Sequence, residues 1–245
     1  MAGRQPRVAV VIIGDEVLAG EVTENNGVFL TREIARIGAR LMRLSVIPDD
    51  EEVIAREIRA LSRSMDAVLT TGGIGITHDD VTRQAVARAF GLPIRTDRAA
   101  LAAIRDYYGP GGLNKWRRKL AEFPTPCRLI PNPAGSAPGF AVGNVYVFPG
   151  VPKMLRAMFP LVAAEFAGVP RTKREILTRL SESAFAGRLT RIARESDGVD
   201  IGSYPLFDGD YRTRLVIKSD DPGAAEAVAS RVQRMLAGLG DDGAD

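Results

Sequence analysis

Between Thr70 and Thr82 the chain reads TTGGIGITHDDVT, which concentrates small, hydroxyl and acidic side chains in one stretch. Asp66-Ala67-Val68-Leu69 precedes it and a helical pattern follows. Glycines let a backbone approach a ligand closely, and the free N–H groups at a helix N-terminus point at anions. The stretch lacks the Gly-Lys-Ser/Thr ending of a P-loop and the spacing of the dinucleotide fingerprint. A plainer reading is a tight turn in which Asp79 or Asp80 caps the next helix. His78, the one histidine, suits a metal or general-base role, or simply a local hydrogen bond in the loop.

Two further acid groups follow apolar runs: Gly14-Asp15-Glu16 and Pro48-Asp49-Asp50. On a parallel sheet these loops share the edge of the glycine loop. Acids beside a phosphate-binding loop repel the substrate unless a cation bridges them, which is how Mg²⁺ is commonly held. One acid could instead orient a water for attack on phosphorus. Asp49 and Asp50 also suit a helix N-terminus, where the dipole favours carboxylates. A second small-residue cluster, Asn132 to Phe140 together with Phe148-Pro149-Gly150-Val151-Pro152, would supply the other wall of a cleft. Cys127 is the single cysteine, so an internal disulfide or thiolate cluster is excluded, and it reads as a small buried side chain.

The elements that must position these loops alternate. Val8 to Ile13 is a continuous apolar run suited to a strand covered on both faces. Leu30, Ile34 and Ile37 recur at helical spacing up to Gly38. Leu41 to Ile47 is a second strand, Val53 to Leu61 a second helix, Ala67 to Leu69 a third strand, and Val81 to Phe90 a third helix. That alternation predicts a parallel sheet with helices on both faces. Ala99 to Tyr108 reads as helix, Pro124 to Pro138 as largely loop, and Val145 to Phe148 as strand. A helix then runs through Leu155, Met158 and Val162. Gly168-Val169-Pro170 marks a break, dividing the chain into domains 1–168 and 172–245. The second reads β-α-β-β-α: strands at Glu175–Leu180, Ile201–Tyr204 and Leu215–Lys218, with helices at Phe185–Arg194 and through Ala225 to Leu236.

The 245 residues, 45% apolar and 26% charged, support a real core and a wet surface. No apolar run approaches the roughly 20 residues that span a bilayer. With no cleavage signal after MAGRQPR, a cytoplasmic protein without a membrane partner is expected. The net charge of +3 is scattered and selects no partner class. The small domain has a KH-like element order but lacks a GxxG between its helices, so nucleic acid is not expected. A homo-oligomer is.

Gly14-Asp15-Glu16 with Gly20 and Asn25-Asn26, the Thr71–Gly75 loop and Asp79-Asp80-Val81-Thr82 resemble the MoaB/Mog-type molybdopterin-binding domain. Ser136-Ala137-Pro138-Gly139-Phe140 and Pro149-Gly150-Val151-Pro152 are similar to the competence/damage-inducible protein A (CinA) branch. Ser45 to Asp49 and Ile201-Gly202-Ser203-Tyr204-Pro205 look closer still to the CinA-like domain of eukaryotic FAD synthetases. The resemblance implies an α/β fold, a three-layer mostly parallel sheet followed by a small α+β domain. It implies metal-dependent hydrolysis of a dinucleotide diphosphate such as ADP-ribose or FAD, with Mg²⁺, Mn²⁺ or Co²⁺ and with K⁺. The alternative is a pterin-binding protein or a molybdopterin adenylyltransferase-like enzyme. On this resemblance Asp80 and Asp49 are the catalytic candidates, and Asp80, Asp15 and Asp49 the metal ligands. Thr71, Gly72, Gly73, Gly75, Thr77, Asp79, Asn26, Ser136 and Gly150 would contact a nucleotide or pterin. Ile76 stands where the family usually has proline, and Met154 where it usually has glutamate. The amidohydrolase domain of many CinA proteins has no counterpart in this sequence, so nicotinamide-mononucleotide deamidation is not expected.

Overall fold

Strand β1 (Arg7–Ile13) is buried along nearly its whole length because alternate side chains enter two different cores. Ala9, Val11 and Ile13 pack on one face, and Val8, Val10 and Ile12 on the other. The computed structural model describes residues 5–240, in two compact units that divide at Gly168/Val169.

In the first unit, β1 is flanked by β2 (Arg40–Ile47) and β3 (Ala67–Thr71), both parallel to it. Strand β3 pairs in parallel with a strand near the end of the unit, Val145–Phe148, which in turn begins an antiparallel extension. Helices α1 (Asp15–Leu18) and α2 (Asn26–Arg36) lie between β1 and β2 in the chain, α3 (Glu51–Ser64) between β2 and β3, and α4 (Thr82–Phe90) after β3. Then come β4 (Ile94–Thr96), α5 (Arg98–Tyr108), α6 (Lys115–Arg118), β5 (Glu122–Pro124), β6 (Arg128–Ile130), β7 (Gly139–Val142), β8 (Val145–Phe148) and α7 (Pro152–Met158). The sheet order is β2-β1-β3-β8-β7-β6, with β4 and β5 forming a separate pair. One core joins the sheet to α3 and α4, through Ile54, Ile58 and Val86. The other joins it to α2 and α7, through Leu30, Ile34 and Leu155. Three layers result, as the alternating pattern predicts.

Three details depart from the sequence reading. Helix α4 starts at Thr82 behind Val81, with no side-chain cap, so neither Asp79 nor Asp80 caps it. The proline-rich stretch contains β6, which pairs with β7; a short edge strand tolerates flanking prolines. Helix α7 stops at Met158 instead of running through Val162, because Pro160 cannot continue an α-helix.

In the second unit β9 (Thr172–Thr178), α8 (Glu182–Arg194), β10 (Val199–Pro205), β11 (Thr213–Ser219) and α9 (Pro222–Ala237) follow the expected β-α-β-β-α order. The strands form an antiparallel sheet ordered β10-β11-β9. Phe185 and Ile192 of α8 and Val228 and Val232 of α9 meet Leu215 and Ile217 of β11 in its core. Among the described residues no helix is long and apolar enough to cross a membrane.

Candidate functional site

The glycine loop leaves the carboxyl end of β3 and is shaped from behind by the first turn of α4. Four consecutive carbonyls point that way. Gly72 O accepts from the Thr82 hydroxyl at 3.0 Å, and Gly73 O from the Thr82 N–H at 3.0 Å. Ile74 O and Gly75 O accept the two terminal nitrogens of Arg83, the second at 3.0 Å. In a trans peptide the C=O and the next N–H point in opposite directions. The N–H groups of Gly73, Ile74, Gly75 and Ile76 are therefore turned away from α4. Those of Gly73, Ile74 and Ile76 meet no acceptor among the described residues. Successive N–H groups facing one way form an anion-binding concavity.

The sequence demands follow from this geometry. Gly72 has φ +109° and sits against the Ile13 carbonyl, where any Cβ would collide with backbone. Gly73 has φ +63°, with the Thr82 hydroxyl in the place of a Cβ. Both positions require glycine.

Residues 72–76 line one wall of a cleft of about 520 Å³. Ser136, Ala137 and the Pro149–Val151 turn after β8 make the facing wall, with Met154 and Tyr108. The cleft thus opens beyond the carboxyl ends of β3 and β8, where α/β sheets place ligands. Of the residues singled out in the sequence, Gly72, Gly73, Gly75, Asp80, Ser136 and Gly150 line it. Asn26 and Thr71 lie beneath and tie its walls together. Thr71 Oγ1 donates to Pro149 O at 2.8 Å, and Asn26 Nδ2 donates to Thr71 Oγ1 at 3.1 Å and to Gly150 O at 2.7 Å. Ser136 Oγ donates to the Tyr108 hydroxyl at 3.0 Å.

The acids divide into two tasks. Asp80 braces the loop: Oδ1 accepts the Gly75 N–H at 2.6 Å, and Oδ2 accepts the Thr77 N–H at 2.8 Å and its hydroxyl at 2.6 Å. Gly75 therefore does not offer a free N–H, and the Thr77 donors are likewise engaged. A carboxylate has about four lone-pair sites, so Asp80 retains about one. Asp49 keeps different company. Its Oδ2 accepts the Asp15 N–H at 2.9 Å, and Asp50 caps α3 by accepting the Val53 N–H at 2.9 Å. Burial pushes the Asp49 carboxyl above its usual range; the Asp15 N–H works against this, while the charges of Asp15, Glu16 and Asp79 add to it. Asp49 thus belongs with Asp15, Glu16 and Asp79.

None of the residues lining the cleft is Lys or Arg. Hard oxygen donors in a negative field fit a divalent cation held by one or two carboxylates together with ligand oxygens. Among the described residues no three His, Cys, Asp or Glu side chains converge on a metal position by themselves. The donor set therefore suits a cation that arrives with, or is completed by, a ligand.

His78 is fully exposed, with its Nδ1 3.8 Å from an Asp79 carboxylate oxygen. Cys127 is half-buried, and burial, then Asp97, pushes its thiol up to about 11, which removes it as a nucleophile at neutral pH. Arg83 was not legible as a site residue. It is buried, lies with its guanidinium 5.6 Å from the Phe123 ring, and touches the loop only through carbonyls. The sole sequence signal is its position one residue into α4.

Residues 9–168 match the family described as Probable molybdopterin binding domain, and residues 170–239 the family described as FAD synthase, middle domain. A protein from Archaeoglobus fulgidus is 33% identical over 80% of this chain and 84% of its own. A CinA-like protein from Syntrophus aciditrophicus is 34% identical over 94% of this chain, which spans 59% of that relative. The crystal structure of CinA from Thermoplasma acidophilum, titled as a protein of unknown function, is 34% identical. It superposes with TM-score 0.62 over 66% of this chain and 98% of its own.

Proposed function

The chain belongs to the Probable molybdopterin binding domain family and has CinA-like relatives, and on that premise we propose that it hydrolyses the diphosphate bridge of a dinucleotide such as ADP-ribose or FAD in a divalent-metal-dependent reaction. The observation that carries this reading is the set of N–H groups at Gly73, Ile74 and Ile76, held outward by the contacts of the Gly72, Gly73 and Gly75 carbonyls to Thr82 and Arg83. Such donors stabilise charge on a phosphoryl group without reorganising.

In the proposed reaction a water oxygen forms a bond to one phosphorus, and the bond from that phosphorus to the bridging oxygen breaks. Two phosphomonoesters result, one of them AMP, with net addition of water. One or two carboxylates from among Asp49, Asp15, Glu16 and Asp80 would hold a divalent cation, completed by ligand oxygens. When bound, that ion would neutralise the phosphate oxygens that these acids otherwise repel. Asp49 orients the attacking water and takes its proton. Loop N–H groups hold the negative oxygens, and Asn26 and Thr71 keep the two walls at a fixed separation.

The test is AMP release from ADP-ribose and from FAD, with Mg²⁺, Mn²⁺ or Co²⁺ and with or without K⁺. Release that disappears with chelator and in Asp49→Asn is the expected outcome. No release from either substrate under any of these metals overturns the hydrolase reading. A second reading, favoured by the family's description, is a pterin-binding protein using the same loop. Co-purification of a fluorescent pterin, lost in Gly73→Ala, would select it.

A further inference from the structure

Next to the glycine-loop cleft lies a second cavity of about 470 Å³, and Ser136 lines both. Ala99, Ala103 and Tyr107, four residues apart on one face of α5, form one side. Leu129, Pro131 and Pro133 form the other. The two alanines leave space where longer side chains would fill it, and Tyr107 presents a ring that is 62% exposed. Tyr107 and Tyr108 meet edge to face with centroids 5.1 Å apart. Tyr107 faces the second cavity and Tyr108 the cleft, so an aromatic pair spans the junction. Two polar side chains in the second cavity, Asn132 and Ser136, are tied to neighbouring groups. Asn132 Nδ2 donates to Ala137 O at 2.7 Å, its Oδ1 accepts the Ala134 N–H at 3.0 Å, and Ser136 is bonded to Tyr108.

We infer that this cavity seats the heteroaromatic ring of the ligand whose diphosphate lies in the glycine-loop cleft, and that it holds the ring chiefly by stacking. The inference rests on the diphosphate reading above and adds where the base sits and how selectively it is held. Both volumes fall in the range of roughly 300–1,000 Å³ typical of ligand pockets. Walls of alanine, proline, leucine and tyrosine offer flat apolar contact, and the polar groups there are few, with Asn132 tied to its own loop and Ser136 to Tyr108. The substrate class is thus a diphosphate carrying at least one flat ring, with weak preference among rings.

Titration calorimetry of the full chain with Mg²⁺ tests this, using inorganic pyrophosphate, ADP and GDP as probes. Wild type should bind ADP and GDP within about threefold of each other, and both more tightly than pyrophosphate, since base stacking is the added term. Ala103→Trp, a substitution at an exposed helix position that plugs the cavity, should weaken ADP and GDP about tenfold or more and leave pyrophosphate unchanged. Tyr107→Ala, which removes the ring without blocking the cavity, should act in the same direction. Unchanged ADP affinity in both variants overturns the inference while the diphosphate reading stands. A strong preference for one base overturns holding chiefly by stacking. If pyrophosphate fails to bind wild type but ADP binds and is lost in Ala103→Trp, the ring seat stands and the diphosphate reading falls. If nothing binds, both fall.

Discussion

Replacing Arg83 by methionine separates the two jobs of a buried cation: holding the fold and holding the loop. Methionine keeps most of the side-chain volume but leaves the carbonyls of Ile74 and Gly75 without their donor. Each buried acceptor left unpaired costs about 1–3 kcal/mol. Acting the other way, burial pulls the Arg83 guanidinium down to about 10, with Asp80 and then Glu122 supporting its charge. Keeping that charge inside therefore costs roughly 3 kcal/mol, at 1.36 kcal/mol per pKa unit, and methionine relieves it. Two unpaired acceptors cost about 2–6 kcal/mol together, so the terms largely offset, leaving a net loss centred on about 1 kcal/mol, or roughly 2–4 °C in melting temperature. Function should not be spared in the same way. Freed carbonyls let the Gly75 and Ile76 peptides rotate, and the Ile76 N–H···phosphate bond lost with that rotation is worth about 1.5–3 kcal/mol. Calorimetric melting and pyrophosphate titration on the same protein check both arms: a modest fall in melting temperature with at least tenfold weaker binding. A normal affinity in Arg83→Met would show that the loop holds its shape without the guanidinium, and would refute the reasoning.

Asp80→Ala removes the acceptor of three loop donors, one of them on the part-buried Gly75, and should destabilise the protein by about 2 kcal/mol; an unchanged melting temperature would mean that Asp80 acts on ligand alone. Gly73→Ala forces φ +63° on an L side chain and drives its Cβ into the Thr82 hydroxyl, so a loss of about 1–3 kcal/mol and of AMP release is expected from melting and turnover assays. Alkylation of Cys127 by iodoacetamide should be slow at pH 7 and rise about tenfold per pH unit until the thiol titrates near 11, with AMP release unaffected in Cys127→Ser.

The sheet was legible because its inner strands carry the simplest code available. Val8 to Ile13 is apolar at every position since both faces are covered, and Ala67 to Leu69 repeats this on a smaller scale. Strand β6 was hidden: Arg128, Leu129 and Ile130 become a strand only by pairing with β7, a tertiary event that local composition does not announce. The glycine loop and its acids were found as a set, yet their division of labour was not. Whether a carboxylate faces a ligand or its own loop depends on backbone direction over a few residues. Asp80 turns onto Gly75 and Thr77, while Asp49 reaches across from β2 to Asp15. The resemblance implied Asn26 and Thr71 as ligand contacts; the structure shows both buried and bonded across the two walls.

The same logic explains why the loop needs α4 as much as α4 needs the loop. Helix N-termini leave N–H groups unsatisfied, and no side chain caps this one. The Gly73 carbonyl takes the Thr82 N–H instead, so the cap is supplied by the loop. That bond, together with the Thr82 hydroxyl and the Arg83 fork, sets the peptide planes from Gly72 to Gly75 in one orientation. Capping the helix and exposing the loop N–H groups are one structural event, because a peptide whose carbonyl is held on one side must present its N–H on the other. A side-chain cap at position 79 or 80 would satisfy the helix and leave the glycine peptides free to turn. The absence of such a cap at Val81 is therefore what couples the end of β3 to the cleft.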